Sequence, residues 1–528
     1  MLMTERINPI SRSRKKECGA FFTPYWIASE IIRSNNIHRI WAEGASVLDP
    51  TAGDGSLLEA LIRCSVEDGI PVTDSMLNRL KGFEREADFT KGFRSRIKEN
   101  YALIPPAETL ECHDFLKVQP KMYDILLGNP PWLNFTDVKE EEKEGLKEYF
   151  VRYGLTEKGK GLLLGAARID LAALMIQKAV QDHLTPGGSG YFFIPLSLML
   201  NEGAHNIFRM GILPGEQPQD GQADRKSGET ERFCFEEIRD FADVQVFPEV
   251  NTRCGFITLK KSAVQKNSIP YFSLIEPGRW KEETARPVGR PGSAYMLTDD
   301  EQQPELIPIK AESRPRQGIN TGGRNSLFIF DSCESTGDGL CRVRNKSIIT
   351  LLPEELVYPL LNREQFKGDD KACKFIFLPY NKKRGKVLNA GELQDYPAAL
   401  EYLESQKESL TSRKGSLLGS SIKKGLYWIL LGVGPYSFSS WKIVWEAYGR
   451  DEFKPMLFGC TKSPGDEKPW IPNQALQASC SFETKKEALR VLESLKQPSI
   501  NRILKRQNMK GTCNWAQPGR IRHFLKEV

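Results

Sequence analysis

The stretch YDILLGNPPWLNF, residues 123–135, joins a short apolar run to the tetrapeptide Asn-Pro-Pro-Trp at residues 129–132. The apolar run is typical of a buried β-strand, which Gly128 ends. Each proline lacks an N–H group and fixes its own φ, and each also biases the residue before it towards an extended conformation. The tetrapeptide contains no acid, no strong base and no metal ligand. It is therefore either a stiff turn after a strand or a site with unusual chemistry.

The chemistry that this tetrapeptide favours is the holding of an amino group. The amide oxygen of Asn129 and the carbonyl oxygens of Pro130 and Pro131 can face one point as acceptors, and a primary amine presents two N–H donors. Such a site would help to free the lone pair of the amine, and Trp132 would offer a stacking face to its base. No general base is needed if the attacked carbon is bonded to a positively charged sulfonium leaving group. The alternative interpretation is a proline-stiffened turn.

Composition limits the class of protein. The chain has 528 residues, of which 40% are hydrophobic, so we expect a globular protein of roughly two to four domains. A net charge of +6 permits a nucleic-acid partner without requiring one. The 11 cysteines form no CxxC pair and there are only 5 histidines, so we expect no metal site and reduced thiols. No apolar stretch approaches the roughly 20 residues of a membrane helix, and we expect a cytoplasmic protein with no membrane partner.

Short apolar runs alternate with helix-like segments between residues 19 and 261. The candidate strands are ASVLDP (45–50), LKGFE (80–84), ETLECHDF (108–115), YDILLGN (123–129), GYFFIPL (190–196) and CGFITLKK (254–261). The alternation predicts an open α/β sheet that binds ligands at the carboxyl ends of its strands. We expect residues 266–313 to form an irregular connection with room for a strand or two, and residues 314–528 to form an α+β unit with helices at 400–414 and 484–497.

The first candidate strand ends in a glycine-rich turn, in VLDPTAGDGSLL at residues 47–58. Asp49 ends the strand, and Ala52, Gly53 and Gly55 belong to the turn that precedes a helix. Glycines allow a sharp turn and a close approach of a ligand to the backbone amides. The pattern is not GxGxxG, so a pyrophosphate is not the natural ligand. The alternative is an ordinary strand-to-helix turn.

The next two strand ends carry acidic residues. A carboxylate such as that of Glu84 accepts hydrogen bonds from both hydroxyls of a ribose. Asp114 can accept a bond from an adenine amino group, and Phe115 offers a flat face to the ring. A single acidic residue at such a position is more often a solvated charge. Three successive strand ends of this kind nevertheless favour a nucleoside ligand.

These segments together resemble the adenine-N6 DNA methyltransferases in which the cofactor motifs come first and a target recognition domain follows. CGAFFTPYWIASEII (18–32) resembles the opening cofactor motif, DPTAGDG (49–55) resembles the DPxxGxG loop, and GNPPW (128–132) resembles the catalytic (N/D)PP(Y/F/W). LTPGGSGYFFIPLSLML (184–200) resembles the helix–strand unit that follows. ADVQVFPEVNTRCGFITLKK (242–261) resembles the segment that supplies a second aromatic against the target base.

The resemblance implies a Rossmann-like, mostly parallel methyltransferase sheet and a role for individual residues. Asn129 and Pro130, with Pro131 beside them, would bind the target amino group, and Trp132 and Phe247 would sandwich an extruded adenine. The residues that would hold S-adenosylmethionine are Thr23, Asp49, Ala52, Gly53, Gly55, Glu84, Asp114 and Phe115. An aromatic residue that precedes a proline in a buried turn, as Phe247 does, is as often part of a core.

The C-terminal part resembles the recognition domain of such enzymes. RQGINTGGRNSLFIF (316–330), GVGPYSFSSWKIVW (432–445) and PWIPNQA (469–475) resemble its landmarks. Basic stretches at residues 382–386, 421–425 and 502–511 suit phosphate contacts, although each alone is more often a solvated surface. The resemblance thus implies a catalytic domain at residues 1–265 and a recognition domain for double-stranded DNA at residues 314–528.

The leading hypothesis is a sequence-specific DNA adenine-N6 methyltransferase, the modification component of a restriction–modification or phage-defence system. We find no convincing PD…(D/E)xK nuclease signature, so a separate restriction nuclease or other defence subunits would be its partners. NPP(Y/F/W) also occurs in methyltransferases of RNA or of glutamine side chains in proteins, which form a second hypothesis. A third hypothesis is a catalytically silent subunit that only confers DNA specificity.

Overall fold

The computed structural model describes most of the chain, and all statements below concern the described residues. They are residues 21–156, 169–201, 205–214, 231–242, 244–247, 252–262, 266–287, 292–298, 306–368, 371–413, 416–447, 452–463, 465–473, 477–507 and 516–528. The chain divides into two compact units, Met1–Asp299 and Asp300–Val528, and each is described by itself.

Unit 1 is an α/β domain. Its helices are α1 (Tyr25–Ser34), α2 (Ile37–Ala42), α3 (Ser56–Glu67), α4 (Asp74–Leu77), α5 (Ala87–Thr90), α6 (Phe93–Tyr101), α7 (Glu140–Arg152), α8 (Leu171–His183), α9 (Ser197–Leu200) and α10 (Asn206–Arg209). Its strands are β1 (Val47–Asp49), β2 (Leu80–Glu84), β3 (Leu110–Cys112), β4 (Tyr123–Gly128), β5 (Leu184–Pro195), β6 (Phe233–Asp240), β7 (Cys254–Lys261), β8 (Ile269–Glu276), β9 (Arg279–Pro287) and β10 (Tyr295–Thr298).

All of these strands belong to one 10-stranded sheet, in the order β10-β9-β8-β6-β7-β5-β4-β1-β2-β3. The strands from β3 to β5 pair in parallel, with β1 between β2 and β4. β7 is antiparallel to both of its neighbours, β5 and β6. From β1 the chain continues to β2 on one side, whereas from β4 it continues to β5 on the other side. This reversal of strand order opens a crevice at the carboxyl ends of β1 and β4. The Rossmann-like, mostly parallel sheet predicted from the sequence is confirmed.

The buried faces explain why these segments fold as they do. β4 is covered on both faces, so four of its residues form a nearly continuous apolar run, and only Asp124 is exposed. In α3, Leu57, Leu58, Leu61 and Ile62 recur at helical spacing and are buried against the sheet core. These patterns are the strongest local signals in the chain, and both elements lie within two residues of their predicted limits.

The segment at residues 266–313 differs from the predicted irregular connection. It contains β8, β9 and β10, which extend the main sheet, as well as the short strand Ile307–Ile309. β8 pairs in parallel with β6, and β9 and β10 follow as antiparallel strands. β9 has the sequence RWKEETARP and is mostly exposed or half-buried. β9 lies between β10 and β8, and one of its faces is largely exposed. Because a strand with a solvent-facing side does not need an apolar run, its charges and the surrounding prolines conceal it in the sequence. β6 was missed in the same way, since two glutamates interrupt it.

Unit 2 is built from short strands and helices. Its helices are α11 (Asn325–Phe328), α12 (Pro397–Ser405), α13 (Lys407–Thr411), α14 (Ser416–Lys423), α15 (Lys485–Leu495), α16 (Pro498–Gln507) and α17 (Pro518–Arg522). Its strands are β11 (Ile307–Ile309), β12 (Arg316–Gln317), β13 (Ile329–Phe330), β14 (Ser332–Ser335), β15 (Leu340–Arg344), β16 (Ile349–Pro353), β17 (Val357–Pro359), β18 (Phe375–Phe377), β19 (Tyr380–Asn381), β20 (Lys386–Val387), β21 (Trp441–Glu446), β22 (Met456–Phe458), β23 (Cys460–Lys462), β24 (Glu467–Pro469), β25 (Gln477–Phe482) and β26 (Leu525–Glu527).

These strands form several small sheets. The largest is a 4-stranded antiparallel sheet with the order β12-β25-β21-β22, and two 3-stranded sheets accompany it. The predicted helix at 484–497 is α15, which begins where the Thr484 hydroxyl accepts a hydrogen bond from the Glu487 amide. The predicted helix at 400–414 is divided at Gln406 into α12 and α13. The α+β class predicted for this part of the chain is confirmed.

Membrane-spanning helices and clusters of metal ligands are both absent from the described residues. Within the described ranges, the helices are too short or too polar to cross a membrane. No group of three or more His, Cys, Asp or Glu side chains in the same ranges is arranged to hold a metal ion. Some residues of the predicted stretches lie outside the described residues. They are residues 508–511 of the last basic stretch and, in the motif segments, residues 18–20, 243, 248–251 and 474–475.

Candidate active site

The carboxyl ends of β1, β2 and β4 meet at one edge of the sheet. The Gly53 amide, in the turn after β1, donates a hydrogen bond of 3.0 Å to Oε2 of Glu84, the last residue of β2. On the other side of β1, the α-carbon of Gly128 lies so close to Asp49 that an added Cβ would be 3.2 Å from Oδ1. The glycine turn, the acidic residue of β2 and the Asn-Pro-Pro-Trp segment therefore form one continuous surface.

Asp49 is a buried acid with an unused acceptor. Its side chain is 1% exposed, and Oδ1 accepts a hydrogen bond of 3.1 Å from the Thr51 amide. Oδ2 is also buried and has no hydrogen-bond partner among the described residues. Burial raises the pKa of Asp49 to about 8, and the nearby carboxylate of Glu84 adds to the shift. Such a group suits a ligand that brings a positive charge to Oδ2.

The turn after β1 needs glycine at two positions. Gly53 and Gly55 have φ values of +56° and +81°, which side chains rarely adopt. A Cβ on Gly53 would lie 2.9 Å from a ring carbon of Phe22, and a Cβ on Gly55 would lie 2.5 Å from Cδ2 of Phe93. Ala52 is buried, and its amide donates to the carbonyl of Phe83 in β2. The turn is therefore held against β2 and is closely covered by two aromatic rings.

We expect Gly55→Ala to destabilise the protein by about 3 kcal/mol. The left-handed backbone costs an alanine about 1 kcal/mol or more, and the overlap with the buried Phe93 ring adds about 2 kcal/mol. Gly69→Ala is the matched control, because Gly69 has a φ of +74° but open space around its Cα. Urea unfolding of both variants measures the difference. Equal losses of stability would show that Phe93 moves freely and does not cover the turn.

The carboxylate of Glu84 is held by two backbone amides and can still accept further hydrogen bonds. Its Oε1 accepts from the Glu86 amide at 2.8 Å, and its Oε2 accepts from the Gly53 amide. Burial raises the pKa of Glu84. A carboxylate has about four lone-pair positions, so capacity remains for a hydroxyl group of a ligand. The side chain is only partly buried, as a ligand-binding group requires.

Asp114 lies beside the end of β2. The His113 amide donates to the Glu84 carbonyl at 2.8 Å, which holds the end of β3 next to that of β2. The Asp114 Oδ1 accepts from the Leu116 amide at 3.0 Å and thereby begins a 3₁₀ helix at Phe115–Lys117. Its Oδ2 lies 3.9 Å from Nζ of Lys117, and the side chain remains partly exposed.

Phe115 differs from its predicted role as a stacking surface. Its side chain is only 3% exposed. The ring packs against those of Phe83, at 6.2 Å, and His183, at 5.0 Å, and the ammonium group of the buried Lys178 lies 5.2 Å from its centre. The ring is therefore a core group that supports the loop, and a ligand would contact the loop through Asp114 and the backbone.

The amide of Asn129 is held in one orientation. Its Nδ2 donates to the carbonyl oxygen of Phe21 at 2.6 Å and to Oγ1 of Thr23 at 3.2 Å. A carbonyl oxygen can only accept, so the NH₂ side of the amide must face Phe21, and Oδ1 faces away from it. Asn129 is partly exposed, whereas Thr23 is 5% exposed. Asn129 is thus available as an acceptor, and Pro130, which is buried, and Pro131 fix the chain that follows it.

Trp132 and Phe247 come together, but not as a sandwich. Their ring centres are 4.9 Å apart and their planes are inclined by 78°. Two parallel rings that enclose a base need a separation of roughly 7 Å, which is two van der Waals contacts. Phe247 is 3% exposed and belongs to the hydrophobic core, while Trp132 also contacts Phe21 at 5.5 Å. The predicted sandwich is absent from this structure, and Trp132 alone is partly exposed.

Three aromatic residues of this site were not singled out from the sequence. Phe21 supplies the carbonyl acceptor for Asn129 and a ring contact to Trp132. Phe22 covers Gly53, and Phe93 covers Gly55. The signal for the first two was the Phe-Phe pair directly before Thr23-Pro24 in the opening motif. Nothing local marks Phe93, because α6 is only brought to the turn by the fold.

Comparison with known proteins gives similar solved structures of low sequence identity. No family model matches the sequence. The chain is similar to the solved structure of the type IIL restriction–modification enzyme MmeI in complex with DNA, with 12% identity and a TM-score of 0.48 over 90% of this chain and 64% of that one. It is similar to a modification subunit of a putative type I restriction enzyme from Vibrio vulnificus YJ016, with 15% identity and a TM-score of 0.32 over 51% of each chain.

A third similar structure is a putative class I S-adenosylmethionine-dependent methyltransferase from Listeria monocytogenes, with 15% identity and a TM-score of 0.32 over 49% of this chain and 67% of that one. The chain spans 64% and 51% of the first two proteins. These three similar structures are a restriction–modification enzyme, a modification subunit and a methyltransferase. At these identities the likeness concerns the fold.

Proposed function

We propose that this protein is a sequence-specific DNA adenine-N6 methyltransferase that uses S-adenosylmethionine. The observation that carries the proposal is the amide of Asn129, whose two donor bonds leave Oδ1 as an acceptor beside a buried acid and a glycine turn. An acceptor at this place suits an exocyclic amino group. A nucleoside site on the neighbouring strand ends suits a methyl donor of the sulfonium class.

The residues at the strand ends fit this cofactor. S-adenosylmethionine supplies an electrophilic methyl group when it is bound. The unpartnered Oδ2 of Asp49 is the natural partner of its ammonium group, and the remaining acceptor capacity of Glu84 suits its ribose hydroxyls. Asp114, at the third strand end, is partly exposed and would accept from its adenine amino group.

The Asn-Pro-Pro-Trp segment would hold the target base. The Oδ1 of Asn129 and the carbonyl oxygen of Pro130 accept the two amino hydrogens, which directs the nitrogen lone pair out of the base plane. Trp132 stacks on the base after it has left the duplex, and this requires the contact between Trp132 and Phe247 to open. Buried aromatic walls exclude water from the reacting amine.

Unit 2 would supply target recognition on double-stranded DNA. On β15, Arg342 and Arg344 are exposed, and Lys346 follows at the next turn. These three cations form no ion pair with described residues, which suits contact with phosphates or guanine edges. We place the protein in the cytoplasm as the modification component of a restriction–modification or phage-defence system, with a separate nuclease or other defence subunits as partners.

Sequencing of methylated DNA tests the function directly. Expression in a host that lacks DNA methylation should produce N6-methyladenine at one short sequence, and the same host with Asn129→Ala should not show it. Modified cytosine would overturn the choice of base. Unmodified DNA with methylated RNA or methylated protein glutamine would favour the second hypothesis, and tight DNA binding without any methylation would favour a silent specificity subunit.

We expect Glu84→Ala to weaken binding of S-adenosylhomocysteine, the demethylated cofactor, about 10- to 100-fold. The change removes charge-assisted hydrogen bonds, each worth about 1.5–3 kcal/mol. Glu108→Ala is the control, because Glu108 is exposed at the opposite end of β3. Isothermal calorimetry gives both affinities. An unchanged affinity of the Glu84 variant would show that Glu84 does not bind the ribose hydroxyls.

A further inference from the structure

We infer that Thr23 is a positioning residue for methyl transfer, because its hydroxyl holds the Asn129 amide in the accepting orientation and links that amide to the cofactor site. The inference rests on the proposed function and concerns the control of the same site. The sequence resemblance assigned Thr23 to the cofactor alone. The structure instead places the Thr23 hydroxyl on the amide of the catalytic tetrapeptide.

The contact uses both hydrogens of the Asn129 amide. One goes to the carbonyl oxygen of Phe21 at 2.6 Å and the other to Oγ1 of Thr23 at 3.2 Å. Both acceptors come from a segment more than 100 residues earlier in the chain, at separations of 108 and 106 residues. If the amide rotated by half a turn, Oδ1 would face the Phe21 carbonyl, and the NH₂ group would face the amino group of the target. Such an arrangement places acceptor against acceptor and donor against donor.

The Thr23 hydroxyl has a second function available. It accepts a hydrogen bond from Asn129, so its own hydrogen remains to be donated. No acceptor for that hydrogen is present among the described residues, although the side chain is only 5% exposed. A carboxylate of an amino-acid-like cofactor is a suitable acceptor. One hydroxyl would then connect the cofactor to the amide that receives the target.

The position of this hydroxyl is well determined by the chain around it. Thr23 is β-branched, which limits its χ1, and the following Pro24 restricts its backbone to extended conformations. Pro24 has a φ of −60° and precedes α1, whose buried face is fixed in the core. The rigid segment therefore presents the hydroxyl to Asn129 before either ligand binds.

The test compares three substitutions at Thr23 with a control. Thr23→Val keeps the shape but removes the hydroxyl, Thr23→Ala removes it with a smaller side chain, and Thr23→Ser retains it. Thr109→Val is the matched control, because Thr109 is 1% exposed, its hydroxyl has no partner among the described residues, and it precedes the amino end of β3. The single-turnover methylation rate, the affinity for S-adenosylhomocysteine and the affinity for target DNA are measured for each variant.

We expect Thr23→Val and Thr23→Ala to lower the single-turnover rate about 5- to 10-fold, as the loss of one hydrogen bond predicts. The affinity for S-adenosylhomocysteine should fall by a similar factor, while DNA affinity and melting temperature stay unchanged. Thr23→Ser and Thr109→Val should behave as the wild type. A wild-type rate for Thr23→Val, or an equal loss for Thr23→Ser together with a lower melting temperature, would overturn the inference.

The two proposals fail in different ways. A wild-type protein that does not methylate adenine would overturn the proposed function. The affinity for S-adenosylhomocysteine needs no turnover, so it still decides whether the Thr23 hydroxyl contributes to the cofactor site. An unchanged affinity in both Thr23→Val and Thr23→Ala would show that the Thr23 hydroxyl does not bind the cofactor.

Discussion

Asn129→Ala should lower the rate of methyl transfer about 10²- to 10³-fold while leaving DNA affinity nearly unchanged. The estimate is the cost of removing one preorganised hydrogen-bonding group from an active site. The Oδ1 of Asn129 is the acceptor on which the proposed function depends, and its orientation is set by Phe21 and Thr23. Single-turnover methylation of a duplex that contains the target sequence measures the rate, and fluorescence anisotropy measures the affinity.

Two further variants sharpen this experiment. Asn78→Ala is the control, because Asn78 is exposed before the amino end of β2, at the opposite edge of the sheet. Asn129→Asp keeps an accepting oxygen but loses both donor bonds and places a carboxylate against the Phe21 carbonyl. We expect it to be as inactive as Asn129→Ala. Undiminished methylation by Asn129→Ala would contradict the proposed mechanism.

Asp49→Asn should stabilise the cofactor-free protein at pH 8.5 and at the same time weaken cofactor binding by at least about 100-fold. Burial raises the pKa of Asp49 from an ordinary value of 3.8 to about 8. Four pKa units correspond to a stability difference on the order of 5 kcal/mol. An asparagine in this position carries no charge to bury, but it also has no negative charge for an ammonium group.

The sign of the pH dependence follows from the raised pKa. The folded protein binds a proton on Asp49 more tightly than the unfolded chain does, so the stability that this proton confers is complete below about pH 4. It is lost as the pH rises through the interval from about 4 to about 8. The stability of Asp49→Asn relative to the wild type should therefore increase over this interval and become constant above it.

The wild-type affinity for S-adenosylhomocysteine should show the complementary trend. A cation binds the ionised carboxylate, so the affinity increases up to about pH 8, and binding below that pH releases a proton. Urea unfolding and calorimetry at pH 5.5, 7 and 8.5 measure both trends. Asp74→Asn is the control, because Asp74 is exposed in the first turn of α4. A pH-independent difference in stability would contradict the assignment of a proton to Asp49 in the folded protein.

The central part of the fold could be predicted from local sequence. β1, β2 and β4 are buried on both faces or end in glycine turns, so their apolar runs are short and continuous, as in YDILLG. β6 and β9 were not located in the sequence, because charged residues interrupt them and a strand with a solvent-facing side does not require an apolar run. The strand ends that carry Asp49, Glu84 and Asn129 were all identified, since a parallel sheet places successive strand ends on one edge.

The roles of the aromatic residues could not be predicted in the same way. Phe115 and Phe247 follow the right strands, but both rings are buried in the core. Whether an aromatic ring faces a ligand or a neighbouring side chain depends on which distant residues pack against it. His183 covers Phe115, and Trp132 contacts Phe247 edge-on. Neither contact leaves a pattern in the local sequence.

The sequence by itself determined the strand ends and their chemistry: an acid and a glycine turn after β1, an acid after β2, and a stiff acceptor segment after β4. Backbone rules are local, so proline, glycine and apolar spacing were sufficient for this. Only the tertiary structure decided how the acceptor is oriented. The amide of Asn129 could face either way until the fold brought Phe21 and Thr23 to it from more than 100 residues away. A hydrogen bond has direction, and the partner that sets this direction is chosen by packing.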